Sequence, residues 1–142
     1  MVRAMFKGEM SSANPDNTEG NRVKGSPGSA GKARGTARVI HSLAEAGKLQ
    51  PGDVLITVAT EPPWTPLFAT ASAIVTDSGG VLSHSAVVAR EYRIPAVVGA
   101  GNATSTFHDG QLLEVDGSAG TVVVVAEQAY IETVKHEPAL VG

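Results

Sequence analysis

The chain has 142 residues and no cysteine, so neither a disulfide framework nor a cysteine-ligated metal site can form. Aromatic residues make up only 4% of it, which is few for a large permanent interface rich in binding hot spots. No apolar run is long enough to cross a bilayer, and the N-terminus lacks the apolar core of a signal peptide. These absences fit a protein of the reducing cytoplasm, where we expect it to act.

Excess charge of either sign is also missing. The formal net charge is −3, and no basic patch of the kind that binds nucleic acid is evident. No basic amphipathic helix suggests a membrane surface. We therefore expect neither nucleic acid nor a membrane as a partner. What the chain does have is 42% hydrophobic residues, enough for one domain with a core of its own.

The organisation predicted is a single α/β domain over residues 21–126. Residues 1–20 are polar and rich in turn-forming types, which predicts a poorly ordered tail. Residues 127–142 are expected to form a C-terminal tail, either irregular or with a short helix. Within the domain, alternating or continuous β-rich runs predict six strands; they lie at 36–40, 54–58, 73–76, 96–99, 112–115 and 121–125.

Other local patterns predict the connections. Ser42 to Lys48 has the spacing of a short helix with a capping box, in which Ser42 and Glu45 bond each other's backbone N–H groups. Glu61 to Pro66 predicts a proline-stiffened loop, followed by a helical turn at most. A helix is predicted from about Ser83 to Tyr92. The closely spaced turns of the C-terminal third indicate antiparallel strands.

A glycine-dense stretch, VKGSPGSAGKARG, superficially resembles a phosphate-binding P-loop. In that motif a Gly-Lys pair is followed by serine or threonine, whereas Gly31-Lys32 is followed by Ala33. The hydroxyl that would hold Mg²⁺ is therefore missing. We interpret the stretch as a flexible, turn-forming start of the fold.

The run GGVLSHSAVVARE places His84 at the mouth of the predicted helix. Ser83 is in position to cap that helix by accepting a hydrogen bond from a free backbone N–H. The partial positive charge of a helix N-terminus disfavours imidazolium, so His84 should stay neutral and nucleophilic near pH 7. The same N–H groups would stabilise an anion there. Both features suit a histidine that accepts and carries a phosphoryl group.

Three other roles for His84 are open on the residues alone. A lone histidine at a helix start is usually structural. A Ser-His hydrolase is disfavoured because Ser83 and His84 are neighbours whose side chains do not face each other on a helix, and no G-x-S-x-G elbow is present. A zinc site is disfavoured because the four histidines are scattered along the chain.

The segment TDSGGVLSHSAVVAREYRIPAVVG, residues 76–99, resembles the signature of the phosphohistidine swivelling domain. That domain occurs in phosphoenolpyruvate (PEP) synthase, pyruvate phosphate dikinase, rifampicin phosphotransferase, phenylphosphate synthase and enzyme I of sugar transport. The matching positions include Gly79, Gly80, Ser83, His84 and Arg90. The segment WTPLF is more similar to rifampicin phosphotransferase and phenylphosphate synthase than to enzyme I. Arg93 departs from the pattern, because many relatives have glycine there.

The resemblance implies a three-layer β/β/α swivelling fold and a phosphocarrier role. In such enzymes an ATP-grasp domain phosphorylates the histidine from Mg-ATP, and the mobile domain carries the group to an acceptor site. It implies an ATP-grasp partner and an acceptor domain or subunit, with no cofactor or metal on this chain itself. The chain would be the phosphohistidine component of a phosphotransferase and inactive alone. The alternative is a non-catalytic interaction module that kept the fold.

The resemblance also suggests a set of supporting residues around His84, the phosphoryl acceptor and donor: Thr76, Gly79, Gly80, Ser83, Ser85 and Arg90. Each has a structural interpretation beside the functional one. Thr76 is either a hydrogen-bond donor to the imidazole or phosphoryl group, or a β-branched strand residue. For Arg90, almost two turns beyond His84, a surface role is favoured over phosphate neutralisation. Trp64 is favoured as a core residue over a docking contact.

The incomplete P-loop predicts that the chain alone does not bind nucleotide. Titration of the 142-residue chain with Mg-ATP in a calorimeter should give no binding heat, because Ala33 replaces the Mg²⁺-binding hydroxyl. Micromolar affinity for Mg-ATP would contradict the prediction.

Overall fold

The computed structural model describes residues 22–127, which contain eight strands in one continuous ladder. The strands are β1 (Arg22–Lys24), β2 (Ser26–Ser29), β3 (Lys32–Val39), β4 (Val54–Thr57), β5 (Ala73–Thr76), β6 (Ala96–Val98), β7 (Leu112–Asp116) and β8 (Thr121–Ala126). The predicted N-terminal tail, and the C-terminal tail beyond Glu127, lie outside the described residues.

The helical elements of the described chain are short, apart from one. They are α1 (Thr65–Phe68), α2 (His84–Tyr92) and α3 (Ala103–Thr106), together with 3₁₀ helices at Leu43–Lys48 and Pro62–Trp64. None of the helices in residues 22–127 is long and apolar enough to cross a membrane.

Strand β3 joins two kinds of sheet. Its first part, Lys32 to Thr36, pairs antiparallel with β7, and its last part, Ala37 to Val39, pairs parallel with β4. From there β4, β5 and β6 continue in parallel, while β7 forms an antiparallel hairpin with β8. The outermost strands are β1, on β8, and β2, on β6. The antiparallel structure predicted for the C-terminal third is confirmed.

Two separate apolar clusters show that the parallel strands form a central layer. On β4, Val54 and Ile56 pack into one cluster with residues of β7 and β8, whereas Leu55 packs into the other with residues of α1 and α2. All four β4 side chains are buried, as expected for a strand covered on both faces. The arrangement is a three-layer β/β/α fold, which confirms the predicted fold class.

The six predicted strands are all present, with bounds that differ by a few residues. The largest difference is in β3, which begins at Lys32 instead of Thr36. Gly35 lies in this added part, where a Cβ atom would come within 2.3 Å of the Gly52 carbonyl oxygen. The backbones there approach so closely that no side chain fits.

The prediction of a flexible glycine-rich start was wrong. Ser26–Ser29 forms β2, paired antiparallel with β6, and Lys32 already belongs to β3. At Gly28 a Cβ atom would lie 3.1 Å from Cγ1 of Val98, so this strand packs at close range. Its pairing partner is some seventy residues further along the chain. Because the strand depends on this distant partner, the local turn propensity of the sequence could not predict it.

Two predictions about the connections also need correction. Leu43–Lys48 is a 3₁₀ helix in which the Ser42 side chain makes no cap bond, and Glu45 Oε1 accepts from the His41 N–H at 3.0 Å. Of the two bonds expected in the capping box, only the one to the Glu45 carboxylate forms, and its donor is the N–H of His41 instead of that of Ser42. The loop predicted at Glu61 to Pro66 is instead a 3₁₀ turn leading directly into α1. Helix α3 was not predicted.

Helix α2 ends with Arg93 in the left-handed conformation, at φ 61° and ψ 39°. Its N–H bonds back to the carbonyl oxygens of Ala89 and Arg90. Arg93 is the one non-glycine residue with positive φ among residues 22–127. The arginine therefore takes up the geometry that glycine would adopt without steric strain.

Replacing Arg93 with glycine should stabilise the domain. A non-glycine residue in this conformation costs about 1–2 kcal/mol, and glycine loses about 0.5–1 kcal/mol more backbone entropy on folding, so the net gain should be about 0.5 kcal/mol. Urea unfolding of Arg93→Gly measures it. Arg93→Ala is the control for loss of the side chain, since it keeps the strain. A decrease in the free energy of unfolding for Arg93→Gly would contradict the argument.

Candidate active site

His84 is the first residue of α2, and its environment begins with the helix cap. Ser83 Oγ accepts a hydrogen bond from the Ala86 N–H at 3.4 Å, which confirms the predicted N-cap. The first N–H groups of a helix have no partner within it and point outward from its N-terminus. The imidazole of His84 therefore starts from a position where backbone donors and the helix dipole favour an anion.

Two threonines contact the two ring nitrogens of the half-buried His84. Thr60 Oγ1 lies 2.8 Å from Nδ1, and Thr65 Oγ1 lies 3.5 Å from Nε2. The first distance is that of a good hydrogen bond, and the second is at the outer limit. Nδ1 is thus firmly held, while Nε2 is held weakly.

Ser85 extends the contact at Nδ1 into the interior. Its Oγ lies 2.6 Å from Thr60 Oγ1, and both residues are buried, with 3% of Ser85 and 6% of Thr60 exposed. Ser85 thus contacts Thr60 instead of projecting toward the outer edge of the ring. Ser85 is therefore not placed to bond a group carried on Nε2.

Phe68 supports the ring from the side. Its ring centroid lies 6.2 Å from that of His84 at an interplanar angle of 85°, an edge-to-face contact. Phe68 itself is buried, as is Trp64, which packs in the same apolar cluster. The core interpretation of Trp64 is therefore confirmed. Helix α1 thus supplies both Thr65 at Nε2 and the aromatic wall beside the ring.

The loop before the helix is shaped by close backbone contacts. Gly79 has φ 98°, and a Cβ atom on it would lie 2.9 Å from the Ser83 Cβ. Gly99 has φ 66°, and its Cβ would lie 2.8 Å from the Gly79 carbonyl oxygen. A Cβ on Gly80 would meet nothing within 4 Å, so Gly80 leaves open space in front of the loop. Leu82, 85% exposed, lies on the same loop.

The remaining predicted residues are placed away from the ring. Thr76 is fully buried, and its hydroxyl donates to the Ser78 carbonyl oxygen at 2.8 Å. It is therefore a buried strand residue and not a hydrogen-bond donor to His84. Arg90 Nε donates to the Gly28 carbonyl oxygen at 2.9 Å, and a terminal guanidinium nitrogen donates to the Val81 carbonyl oxygen. Arg90 ties β2 and the loop to the helix instead of facing His84.

Sequence reasoning missed Thr60, Thr65 and Phe68. Thr60 lies just beyond the carboxyl end of β4, and the loop to His84 leaves the carboxyl end of the adjacent parallel strand β5. Parallel neighbours with buried β-rich sequences bring such ends to one edge of a sheet, which is the signal that could have found Thr60. The WTPLF similarity contained Thr65 and Phe68, without showing that they face the histidine.

The described residues do not form a metal site at His84. In the part of the chain that the structure describes, no three His, Asp or Glu side chains group together as metal ligands would. His41 and His108 are both exposed. The site is therefore a single imidazole framed by hydroxyls, an aromatic edge and a helix N-terminus.

These features define a β/β/α domain with a half-buried histidine at the start of its main helix. The chain belongs to the family described as PEP-utilising enzyme, mobile domain, whose model matches residues 49–120. The match spans Thr60, Thr65 and the whole of α2.

Curated relatives share this region over most of the chain. The chondramide synthase of Chondromyces crocatus is 53% identical over 125 residues, 88% of this chain but 3% of that protein. PEP synthase of Aeropyrum pernix is 49% identical over 119 residues, 81% of this chain and 14% of that protein. Rifampicin phosphotransferase of Bacillus cereus is 44% identical over 110 residues, 78% of this chain and 13% of that protein. The chain thus spans a small part of the length of each.

Solved structures support the fold. An enzyme I structure, 36% identical, superposes with a TM-score of 0.50 over 65% of this chain and 38% of that one. The aconitase X of Thermococcus kodakaraensis is 17% identical with a TM-score of 0.56, covering 73% of this chain and 98% of that one. This second likeness concerns the fold alone.

The contacts of Arg90 predict how the histidine loop is held. Arg90→Lys should speed amide hydrogen exchange several-fold at Ser83, whose N–H donates to the Gly80 carbonyl oxygen. One ammonium cannot reproduce the guanidinium's two well-separated bonds to Gly28 and Val81. Glu91→Gln, at an exposed neighbouring position, is the matched control and should leave the exchange unchanged. Equal exchange in Arg90→Lys and the unaltered chain would show that the clamp does not hold the loop.

Proposed function

We propose that the chain is the phosphocarrier component of a PEP synthase-like or dikinase-like phosphotransferase, and that His84 accepts and donates the phosphoryl group. The observation that carries the proposal is the asymmetry of the His84 ring. Nδ1 is 2.8 Å from the buried Thr60 hydroxyl, while Nε2 has only the 3.5 Å contact with Thr65. Nε2 is therefore the nitrogen from which we expect attack on phosphorus.

The transfer is a displacement at phosphorus. The Nε2 lone pair forms the N–P bond, and the P–O bond to the donor breaks with its electron pair remaining on the donor. The negative charge of the arriving group would lie near the N-terminus of α2, where unpaired N–H groups and the helix dipole are favourable. The open space before Gly80 leaves room for a bulky donor. Passage to the acceptor reverses these bond changes.

The donor is assigned to another domain. Mg-ATP on an ATP-grasp domain or subunit would supply the phosphoryl group, and a further domain or subunit would present the acceptor. This chain covers only 3–14% of the relatives described above, which supports the role of one part in a larger enzyme. A tethered carrier converts a bimolecular transfer into an effectively unimolecular one. Alone, the chain should catalyse no turnover.

In this proposal the partner domain or subunit, and not this chain, determines the phosphoryl acceptor. The names PEP synthase and rifampicin phosphotransferase denote different products, although both relatives share this region with the chain at 44–49% identity. The contacts at His84 involve the ring and its supports, and they do not distinguish among acceptors. The competing proposal is an interaction module with the same fold and no phosphoryl transfer.

The proposal predicts that His84 is the only phosphorylated residue. The chain is incubated with its ATP-grasp partner and Mg-ATP, and phosphate is located by mass spectrometry under alkaline conditions. His84→Ala should lose the label, whereas His41→Ala should retain it, because His41 is an exposed histidine outside the site. Label undiminished in His84→Ala would refute the assignment. If the partner phosphorylates another carrier protein but leaves the native chain unlabelled, the result would favour the interaction module.

A further inference from the structure

The antiparallel layer carries charged residues on its outer face. Strands β1, β8, β7 and β3 lie side by side, and alternate residues of each point to the core or to solvent. Val23, Val115 and Val122 belong to the apolar cluster beneath. The residues that face outward form two rows across the four strands: Lys24, Thr121, Asp116 and Lys32 in one, and Arg22, Val123, Glu114 and Arg34 in the other.

This outer face is basic, although the chain as a whole is acidic. Each row has a cation at both ends, on β1 and on β3, and a single carboxylate between them, on β7. In the rest of residues 22–127, acidic side chains outnumber basic ones. The small net charge of the chain therefore does not reveal this face, which is assembled only by strand pairing.

The cations at the two ends of each row differ in their partners. On β3, Lys32 Nζ lies 3.9 Å from an Asp116 oxygen, and a nitrogen of Arg34 lies 3.9 Å from a Glu114 oxygen. The cations of β1 instead lie beside neutral residues of β8, and they make no ion pair within the part of the chain that the structure describes. Strand β1 thus presents two exposed positive charges to an external anion.

The spacing of these two charges indicates what kind of anion fits. Residues two apart on a strand lie about 6.8 Å apart on one face of the sheet. An extended polypeptide with acidic residues at alternate positions has the same repeat. A phosphate backbone or an anionic lipid surface fits less well, because its continuous negative charge would also meet Glu114 and Asp116. A polypeptide can place a neutral residue opposite those carboxylates.

We propose that this outer face binds an acidic, extended segment of a partner protein, with alternate carboxylates on Arg22 and Lys24, an inference that goes beyond the proposed function. The face lies on the far side of the central layer from His84, because the antiparallel strands pack in one apolar cluster and α2 packs in the other. A segment bound there leaves His84 uncovered. The domain thus stays attached to one partner while its histidine reaches another.

The test is an NMR titration of the isotope-labelled full chain with two short peptides of identical composition. In one peptide, Glu and Thr alternate; in the other, the Glu residues stand in adjacent pairs, so that neighbouring carboxylates point to opposite sides of an extended chain. Arg22→Gln/Lys24→Gln removes the two β1 cations. Lys48→Gln/Arg93→Gln is the matched control, because it removes two exposed cations elsewhere. Backbone spectra verify that each variant is folded.

The alternating peptide should shift the amide resonances of β1 and its neighbours, and should bind several-fold more tightly than the paired-Glu peptide. The β1 double variant should lose most of this affinity, and the control variant should retain it. Glu114→Gln, which removes a repelling carboxylate, should tighten binding several-fold. Binding should disappear at about 1 M salt, where the screening length is about 3 Å.

Equal affinity for the two peptides, shifts centred elsewhere, or unchanged binding in the folded β1 double variant would overturn the proposal. Tighter binding of duplex DNA or phosphatidylserine vesicles at these strands would assign the face to a polyanion instead. Concentration-dependent shifts there without peptide would assign it to a second copy of the chain. If the double variant does not fold, the peptide comparison on the native chain and on Glu114→Gln decides. Since no phosphoryl donor is present, none of these outcomes depends on phosphorylation of His84.

Discussion

The parallel pairing of β4 with β5 is the constraint on which the histidine site depends. Its register sets Thr57 beside Thr76, so the segments that follow both strands leave from one edge of the sheet. One segment carries Thr60 and Thr65, and the other leads through the glycine loop to His84. A slip of one residue would turn the side chains of β4 to the opposite faces of the sheet. Burial on both faces of these strands holds the register against such a slip.

Close packing of backbone on backbone completes the site. Gly79 approaches Ser83 and Gly99 at distances that leave no room for a side chain, so the loop takes one path into the helix. The Asp77 carboxylate accepts bonds from the Thr104 N–H and hydroxyl, which joins the start of this loop to α3. Arg90 holds the other end. The His84 loop is therefore tied on three sides, although its Leu82 side chain projects into solvent.

Local patterns revealed those parts of the fold whose cause is local. The strands β4 and β5 and the Ser83 cap of α2 depend on residues that are neighbours in the sequence, and they were predicted correctly. The glycine-rich β2 was not, because its strand character comes from pairing with β6 far along the chain. The capping box predicted at Ser42 was also wrong, because the segment forms a 3₁₀ helix and Glu45 accepts from the His41 N–H instead. For Thr60 and Phe68, no local pattern marked a contact with the histidine.

By itself the sequence determined the nature of the central residue and its position at a helix N-terminus, because a cap and a helix are short-range structures. The spaced residues from Thr76 to Gly99 were also enough to indicate the family. Tertiary structure decided which residues surround the ring. It placed Thr60 at Nδ1, Thr65 near Nε2 and Ser85 behind Thr60, and it directed Thr76 and Arg90 elsewhere. The contacts of Thr60 and Thr65 with His84 and Ser85 join residues 19 to 25 positions apart, and the pairing of parallel strands brings their segments together.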